Sequence, residues 1–238
     1  MNAIWPRPPK IVVLTGAGLS RESGFAPFDA AAMPEGVSLE DVLTPAGFER
    51  DPARVQAFYN ERRRQLLAVK PNPAHEALAV FDLVRKGEVV ILTRNIDDLH
   101  ERAGSQAVLH THGELLKARC TICTKVSAWH DDITGSEDCP VCGNAGHLRP
   151  HIVRVGEHPL RMDTAYEALA HCDRFLAIGV SGGGEPARSF LAAARRAHAR
   201  TVEFTCEPAP NSDLFDERID GPASETVPDY VKRLIAET

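Results

Sequence analysis

Apolar runs of strand length that alternate with helical stretches predict an α/β chain. The expected architecture is a Rossmann-like doubly wound parallel sheet, carrying an inserted zinc-ribbon module and a small helical insertion. Three observations carry this reading. Ile11–Thr15 (IVVLT), Glu88–Thr93 (EVVILT) and Arg174–Gly179 (RFLAIG) are near-continuous apolar runs, as parallel strands buried on both faces require. A glycine-rich turn, TGAGLS, follows the first run at once. Four cysteines read C-x2-C, then fifteen residues, then C-x2-C, at Cys120, Cys123, Cys139 and Cys142.

The elements follow in order. Asp51-Pro52 starts a helix, with an N-cap carboxylate and proline in the first turn; it runs to about Lys70 and stops at Pro71. Ala74–Lys86 has helical apolar spacing and Gly87 ends it. After the second strand, Asp97–Ala103 reads as a short helix closed by Gly104, and Ala107–Leu109 as a short strand. Pro150–Val155 is extended and Arg161–His171 helical. After Arg174–Gly179 come a loop at Gly182, Gly183 and Gly184, a helix at Glu185–Ala199 and a strand at Thr201–Thr205. Asp229–Glu237 closes the chain as a helix with Tyr230, Val231, Leu234 and Ile235 on its apolar face. The expected domains are 1–116 with 149–238, containing a helical insertion at 30–75, and a zinc-binding module at 117–148.

Composition narrows the function. A net charge of −6 over 238 residues argues against nucleic acid as a partner. No apolar run reaches the ~18 residues of a membrane span, and Met1–Lys10 is polar and proline-rich, with no signal core. A cytoplasmic location is expected. The cysteine spacing suits one closed structural Zn2+ in a reducing compartment, with no open position for a reacting water. Cys172 and Cys206 read as small hydrophobes.

The chemistry lies in the turns. Glycines at Gly16 and Gly18 let a backbone approach a pyrophosphate; a tight strand–helix turn without a ligand is the competing account. Three more segments bear on this: TRNIDDLHERAG (Thr93–Gly104), HTHGEL (His110–Leu115) and RPHIVRVGE (Arg149–Glu157). With GAGLSRESGF and the cysteines, they resemble the sirtuin family in order and spacing along nearly the whole chain.

The resemblance implies NAD-dependent removal of acyl groups from lysine, yielding nicotinamide and an O-acyl-ADP-ribose. It assigns His112 as general base, a task suited to a group whose ordinary pKa is about 6.5. His110 and His100 are read as structural. Asn95 and Asp97 match positions around the nicotinamide ribose and carboxamide; Asp97 also suits a helix N-cap. The other cofactor positions implied are Gly16, Ala17, Gly18, Ser20, Phe28, Asp29, Arg94, Ile96, Gly179, Ser181 and Glu207. For Phe28 alone core packing is the simpler account, and for Glu207 solvent exposure is. The extended segment places Val153 and Val155 at the substrate.

YNERRR (Tyr59–Arg64) is similar to the sirtuin subgroup that removes succinyl and malonyl groups. Tyr59 and Arg62 share a helix face, so Arg62 could grip a carboxylate in bidentate fashion while Tyr59 adds a hydroxyl. A solvated basic face is the bland alternative.

Departures from the family pattern cluster at the cofactor. Asp29 stands for arginine, Arg94 for glutamine, Val180 for threonine, Thr205 for asparagine and Val155 for phenylalanine, with Arg154 beside it. The first swap changes local charge by two units, worth about 1 kcal/mol or more at ~4–6 Å and intermediate dielectric. Three outcomes stay open: an Asp29–Arg94 ion pair, a phosphate or ribose contact by Arg94, or loss of productive NAD binding. The expected partner is an acyl-lysine protein or a small-molecule acceptor, with neither nucleic acid nor membrane. The alternatives to a deacylase are an altered ADP-ribosyltransferase and a non-catalytic nucleotide-binding homologue.

Overall fold

The computed structural model describes residues 10–25, 33, 37–180 and 184–236. The chain runs β1 (Ile11–Thr15), α1 (Ala17–Arg21), α2 (Leu39–Leu43), α3 (Pro45–Arg50), α4 (Pro52–Ala68), α5 (Pro73–Val84), β2 (Val89–Thr93), α6 (Leu99–Ala103) and β3 (Val108–His110). It continues with β4 (Gly113–Cys120), β5 (Val126–Ala128), β6 (Leu148–Ile152), α7 (Met162–Leu169), β7 (Arg174–Ile178), α8 (Ala187–Arg196), β8 (Arg200–Thr205), β9 (Glu217–Asp220) and α9 (Ala223–Ala236). One sheet has the order β3-β2-β1-β7-β8-β9, with every pairing parallel. A second, antiparallel sheet has the order β5-β4-β6.

The continuous apolar runs are explained by helices on both faces of the parallel sheet. Ile11 and Val13 of β1, with Val89 and Ile91 of β2, pack against Leu78 and Phe81 of α5 and Tyr230 and Leu234 of α9. Val12 and Leu14, with Val90 and Leu92, pack on the opposite side against Leu169 of α7 and Phe190 and Leu191 of α8. A third cluster joins Val55, Tyr59 and Leu66 of α4 to Leu115, Leu116 and Ile152 of the antiparallel sheet.

Local chemistry sets the helix starts. The Asp51 carboxylate accepts the Arg54 N–H, with Pro52 at the first position of α4. Asn72 Oδ1 accepts the N–H groups of Ala74 and His75, and His75 Nδ1 accepts the Asn72 N–H in return, which closes a capping box on α5. Gly104 takes φ 109° after α6, a conformation open to glycine at little cost.

Several expectations need correction. α9 begins at Ala223, with Pro228 inside it, rather than at Asp229. Its cap is remote: the Glu22 carboxylate accepts the N–H groups of Ala223 and Ser224 at 2.7 and 2.8 Å. Edge strand β9 alternates in burial and lacks the apolar run that marks its neighbours. Cys206 is exposed and fills no core position, whereas Cys172 is buried as expected. The strands of the antiparallel sheet span Gly113 to Ile152.

Candidate active site and metal centre

β1 and β7 are neighbours, but the chain leaves β1 toward β2 and leaves β7 toward β8. The two exit loops diverge and open a crevice at the carboxyl edge of the sheet, the usual ligand position in doubly wound folds. The glycines hold these turns together. A Cβ on Gly16 would meet the Gly179 oxygen at 2.7 Å, and one on Gly18 would meet Gly179 Cα at 2.8 Å. The Gly16 N–H donates to the Ile178 carbonyl and the Gly18 N–H to the Gly179 carbonyl. These two amides are therefore spent on the end of β7 and the residue after it, and the glycines allow the two turns to pack closely.

Beside this crevice lies a cleft of about 180 Å3 that opens to solvent. It brings together Ala17 and Ser20 of α1, Arg94, Asn95, Ile96 and Asp97 after β2, and His112 between β3 and β4. Tyr59 and Arg62 of α4, and Val153 and Val155 after β6, line it too. Sequence reasoning missed Phe25, Leu43 and Ile152, which add apolar wall; the one signal for Phe25 was an aromatic directly after a glycine turn. Glu207 is exposed just beyond β8, away from this cleft. Phe28, Asp29 and Ser181 lie outside the described residues.

His112 is oriented by its neighbour. Thr111 Oγ1 donates its single proton to the Thr93 carbonyl at 3.0 Å and lies 2.9 Å from His112 Nδ1. With that proton spent, Oγ1 accepts from Nδ1–H, so the imidazole lone pair sits on Nε2. Burial, reinforced by the positive charge of Arg94, pushes the His112 pKa down to about 4. The ring is neutral at pH 7 and able to take a proton.

Asn95, Ser20 and Asp97 form a chain. Asn95 Nδ2 donates to the Gly16 carbonyl at 3.0 Å and to Ser20 Oγ at 2.8 Å; Ser20 Oγ donates to Asp97 Oδ2 at 2.7 Å. Both Asn95 amide protons are used, leaving its carbonyl oxygen to address a ligand. Asp97 Oδ1 accepts the Leu99 N–H, so its carboxylate caps α6 although Asp98 occupies the N-cap backbone position. Burial raises the Asp97 pKa against the lowering by these donors. His110 and His100 are structural. His110 bridges the Asn95 carbonyl and Glu101 Oε1, and His100 Nε2 lies 3.0 Å from Thr15 Oγ1.

On α4, Tyr59 and Arg62 are 2% and 7% exposed, which sets aside the solvated basic face. Arg62 Nη1 donates to Gln65 Oε1 at 2.9 Å, and its guanidinium lies 4.4 Å from the centre of the Phe25 ring. The Val153 N–H donates to the His112 carbonyl and the Val155 N–H to the Leu43 carbonyl, so the strand after β6 borders both the imidazole and the α2 wall.

The four cysteines converge, with Cys120 and Cys142 sulfurs 3.8 Å apart, Cys123 and Cys139 sulfurs 3.7 Å apart, and all four within 4.8 Å of one another. Tetrahedral zinc with bonds of about 2.3 Å requires sulfur–sulfur edges of about 3.8 Å. The two C-x2-C turns are alike. The Thr124 N–H donates to the Cys120 carbonyl and the Gly143 N–H to the Cys139 carbonyl, each residue at positive φ. The donor set fits a closed zinc site.

A doubly wound parallel sheet, a zinc ribbon and a half-buried neutral imidazole at the crevice define a dinucleotide-site protein with a structural metal. The chain matches the Sir2 family over residues 16–186 and belongs to it. It is 51% identical to the NAD-dependent protein deacylase SIR2rp3 of Leishmania major over 96% of each chain. It is 48% identical to an NAD-dependent protein deacylase of Escherichia coli K12, over 95% of this chain and 82% of that one. A solved Sir2 homologue–NAD complex superposes with a TM-score of 0.86 at 31% identity, covering 95% of this chain and 89% of the other.

Proposed function

We propose that this chain is an NAD-dependent protein-lysine deacylase that favours acyl groups ending in a carboxylate. The observation that carries the chemistry is the His112 imidazole: neutral, with its lone pair on Nε2, in a cleft shared with Asn95 and Asp97. The full-length likeness to proteins named NAD-dependent protein deacylase supports the reaction class.

The cleft's donors and acceptors fit such a dinucleotide. Asp97 supplies acceptor oxygens for carboxamide N–H groups, Asn95 supplies a carbonyl oxygen for a ribose hydroxyl, and Arg94 supplies a cation. When bound, NAD supplies the ribose carbon that takes the acyl oxygen as nicotinamide leaves. His112 Nε2 accepts a ribose hydroxyl proton, and Thr111 Oγ1 holds the ring through Nδ1 as the charge develops. Ser20 keeps the Asp97 carboxyl oriented. Apolar Ile96, Ile152 and Val153 exclude water from the reacting centre. Val153 and Val155 border the acyl-lysine chain. Arg62, buried beside Tyr59, faces the acyl terminus, where a carboxylate can take a charge-assisted bond in place of lost water.

The test is nicotinamide release from NAD with succinyl-lysine and acetyl-lysine peptides. Turnover is expected with both and faster with succinyl. Arg62→Met should cut succinyl turnover at least tenfold more than acetyl turnover; equal losses reject the carboxylate role. His112→Ala should abolish both. An absence of NAD-dependent release refutes the deacylase reading, and release with ADP-ribose fixed to an acceptor points to a transferase.

A further inference from the structure

Arg94 is the cation in the cleft that the described structure leaves without a counter-charge. Its backbone N–H donates to the Thr15 carbonyl, which fixes it at the carboxyl end of β2. From there the side chain crosses above β1: a Cβ on Gly184, in the loop after β7, would lie 3.8 Å from Arg94 Nη2. The guanidinium thus spans the crevice between the diverging β1 and β7 loops. No hydrogen bond or ion pair reaches it among the described residues, and its buried Nε has no partner. Arg62, the other guanidinium of the cleft, is bonded to Gln65 and stacked on Phe25. A half-buried guanidinium whose Nε is shut off from water without a partner carries a desolvation cost, and a ligand that supplies an anion there offsets it.

The glycine turn sharpens the point. In many dinucleotide folds the amides of this turn meet the pyrophosphate. Here the Gly16 and Gly18 amides are committed to Ile178 and Gly179, so these two offer nothing to the phosphates, and a cation mounted across the crevice supplies a donor they do not.

We propose that the Arg94 guanidinium is the anchor for the pyrophosphate of the dinucleotide. This rests on the NAD reading above and adds a binding residue to it. A fork of parallel N–H groups matches phosphate oxygens, and the bond forms at the site that is unpaired in the free chain. The phosphate then also screens the charge that Arg94 places on His112.

Calorimetric titration of the zinc-loaded full chain with ADP-ribose tests this, with nicotinamide as an uncharged control. Arg94→Gln should weaken ADP-ribose binding by about tenfold to a hundredfold, the worth of one charge-assisted bond, and leave nicotinamide binding within about twofold. Arg94→Lys keeps the charge but loses the fork, so its affinity should fall between the two. The unliganded Arg94→Gln chain should melt no lower than the wild type, since it loses a half-buried cation that has no partner among the described residues; a lower melting point would show a structural role and overturn the assignment. Equal ADP-ribose affinity in wild type and Arg94→Gln would also overturn it and leave the deacylase reading standing. Failure of the wild type to bind ADP-ribose would instead remove the dinucleotide reading from which the assignment starts.

Discussion

His75 makes the stability of this fold depend on pH in a calculable way. The side chain is 0% exposed, its Nδ1 is held by the Asn72 N–H at 3.3 Å, and its ring centre lies 4.9 Å from that of His100. Burial is the main cause that pushes its pKa down to about 4. In the unfolded chain an ordinary histidine titrates near 6.5. Between these values the unfolded chain binds the additional proton, so stability is full above about pH 6.5, falls on acidification, and stops falling below about pH 4. From pH 7 to pH 5 this one site removes about 2 kcal/mol. His75→Gln isolates the effect, because glutamine is a normal capping-box partner at this position and does not titrate. Urea unfolding of the zinc-loaded wild type and variant at both pH values reads it out. Acid sensitivity of the zinc thiolates is common to both proteins and cancels. His100, whose pKa is also lowered in part by His75, titrates slightly more easily once His75 is gone, which changes the comparison in the same direction. The wild type should lose about 2 kcal/mol more than the variant; equal losses would refute the claim that burial keeps His75 neutral.

Two further predictions concern the joint between the sheets. Asn60 accepts from the Ile133 N–H at 2.8 Å and from Arg63 Nη1 at 2.7 Å, and donates to the Ile133 carbonyl at 2.9 Å; Asn60→Ala leaves these buried groups unpaired and should cost about 3 kcal/mol or more in urea unfolding, whereas a loss under about 1 kcal/mol would show that water replaces the amide. Zinc removal by a chelator should melt the cysteine lobe, because its own core is only Ala118, Cys120, Ile133, Cys139 and Leu148 with two flanking side chains; an unchanged calorimetric melting curve after complete metal loss would contradict this.

What the sequence disclosed follows from where each element finds its partners. β1, β2 and β7 were legible because helices cover both faces, so their interior residues are apolar and only their ends, at Thr15, Thr93 and Arg174, are polar. α9 was misjudged because its first turn is capped by Glu22, about two hundred residues away, and no local pattern reports that. The meeting of Asn95, Asp97 and His112 followed from the motifs, but the Asn95–Ser20–Asp97 chain did not, because it joins the turn after β1 to the turn after β2. The Nδ1 proton of His112 was equally hidden, since it depends on Thr111 spending its hydroxyl on Thr93. The glycines were read as places where a pyrophosphate approaches; in the structure Gly16 and Gly18 lie against the Gly179 backbone just after β7, a partner no local pattern reports.

Charge ties these observations together. The chain carries −6 overall, yet among the described residues its cleft is lined by Arg62 and Arg94 against the single carboxylate of Asp97. A cleft of opposite sign to the whole selects ligands that bring negative charge to fixed points, because an anion is repelled by the general surface and held only where the field is focused. The two cations are separately mounted, one on α4 and one after β2. A ligand satisfying both carries anionic groups at two places. On the proposed reading a dinucleotide meeting an acyl chain that ends in a carboxylate does so, whereas an acetyl group brings no anion to Arg62. The proposed roles of Arg62 and Arg94 thus make the discrimination of this cleft electrostatic at two points, with the neutral His112 proposed as the group that moves the proton.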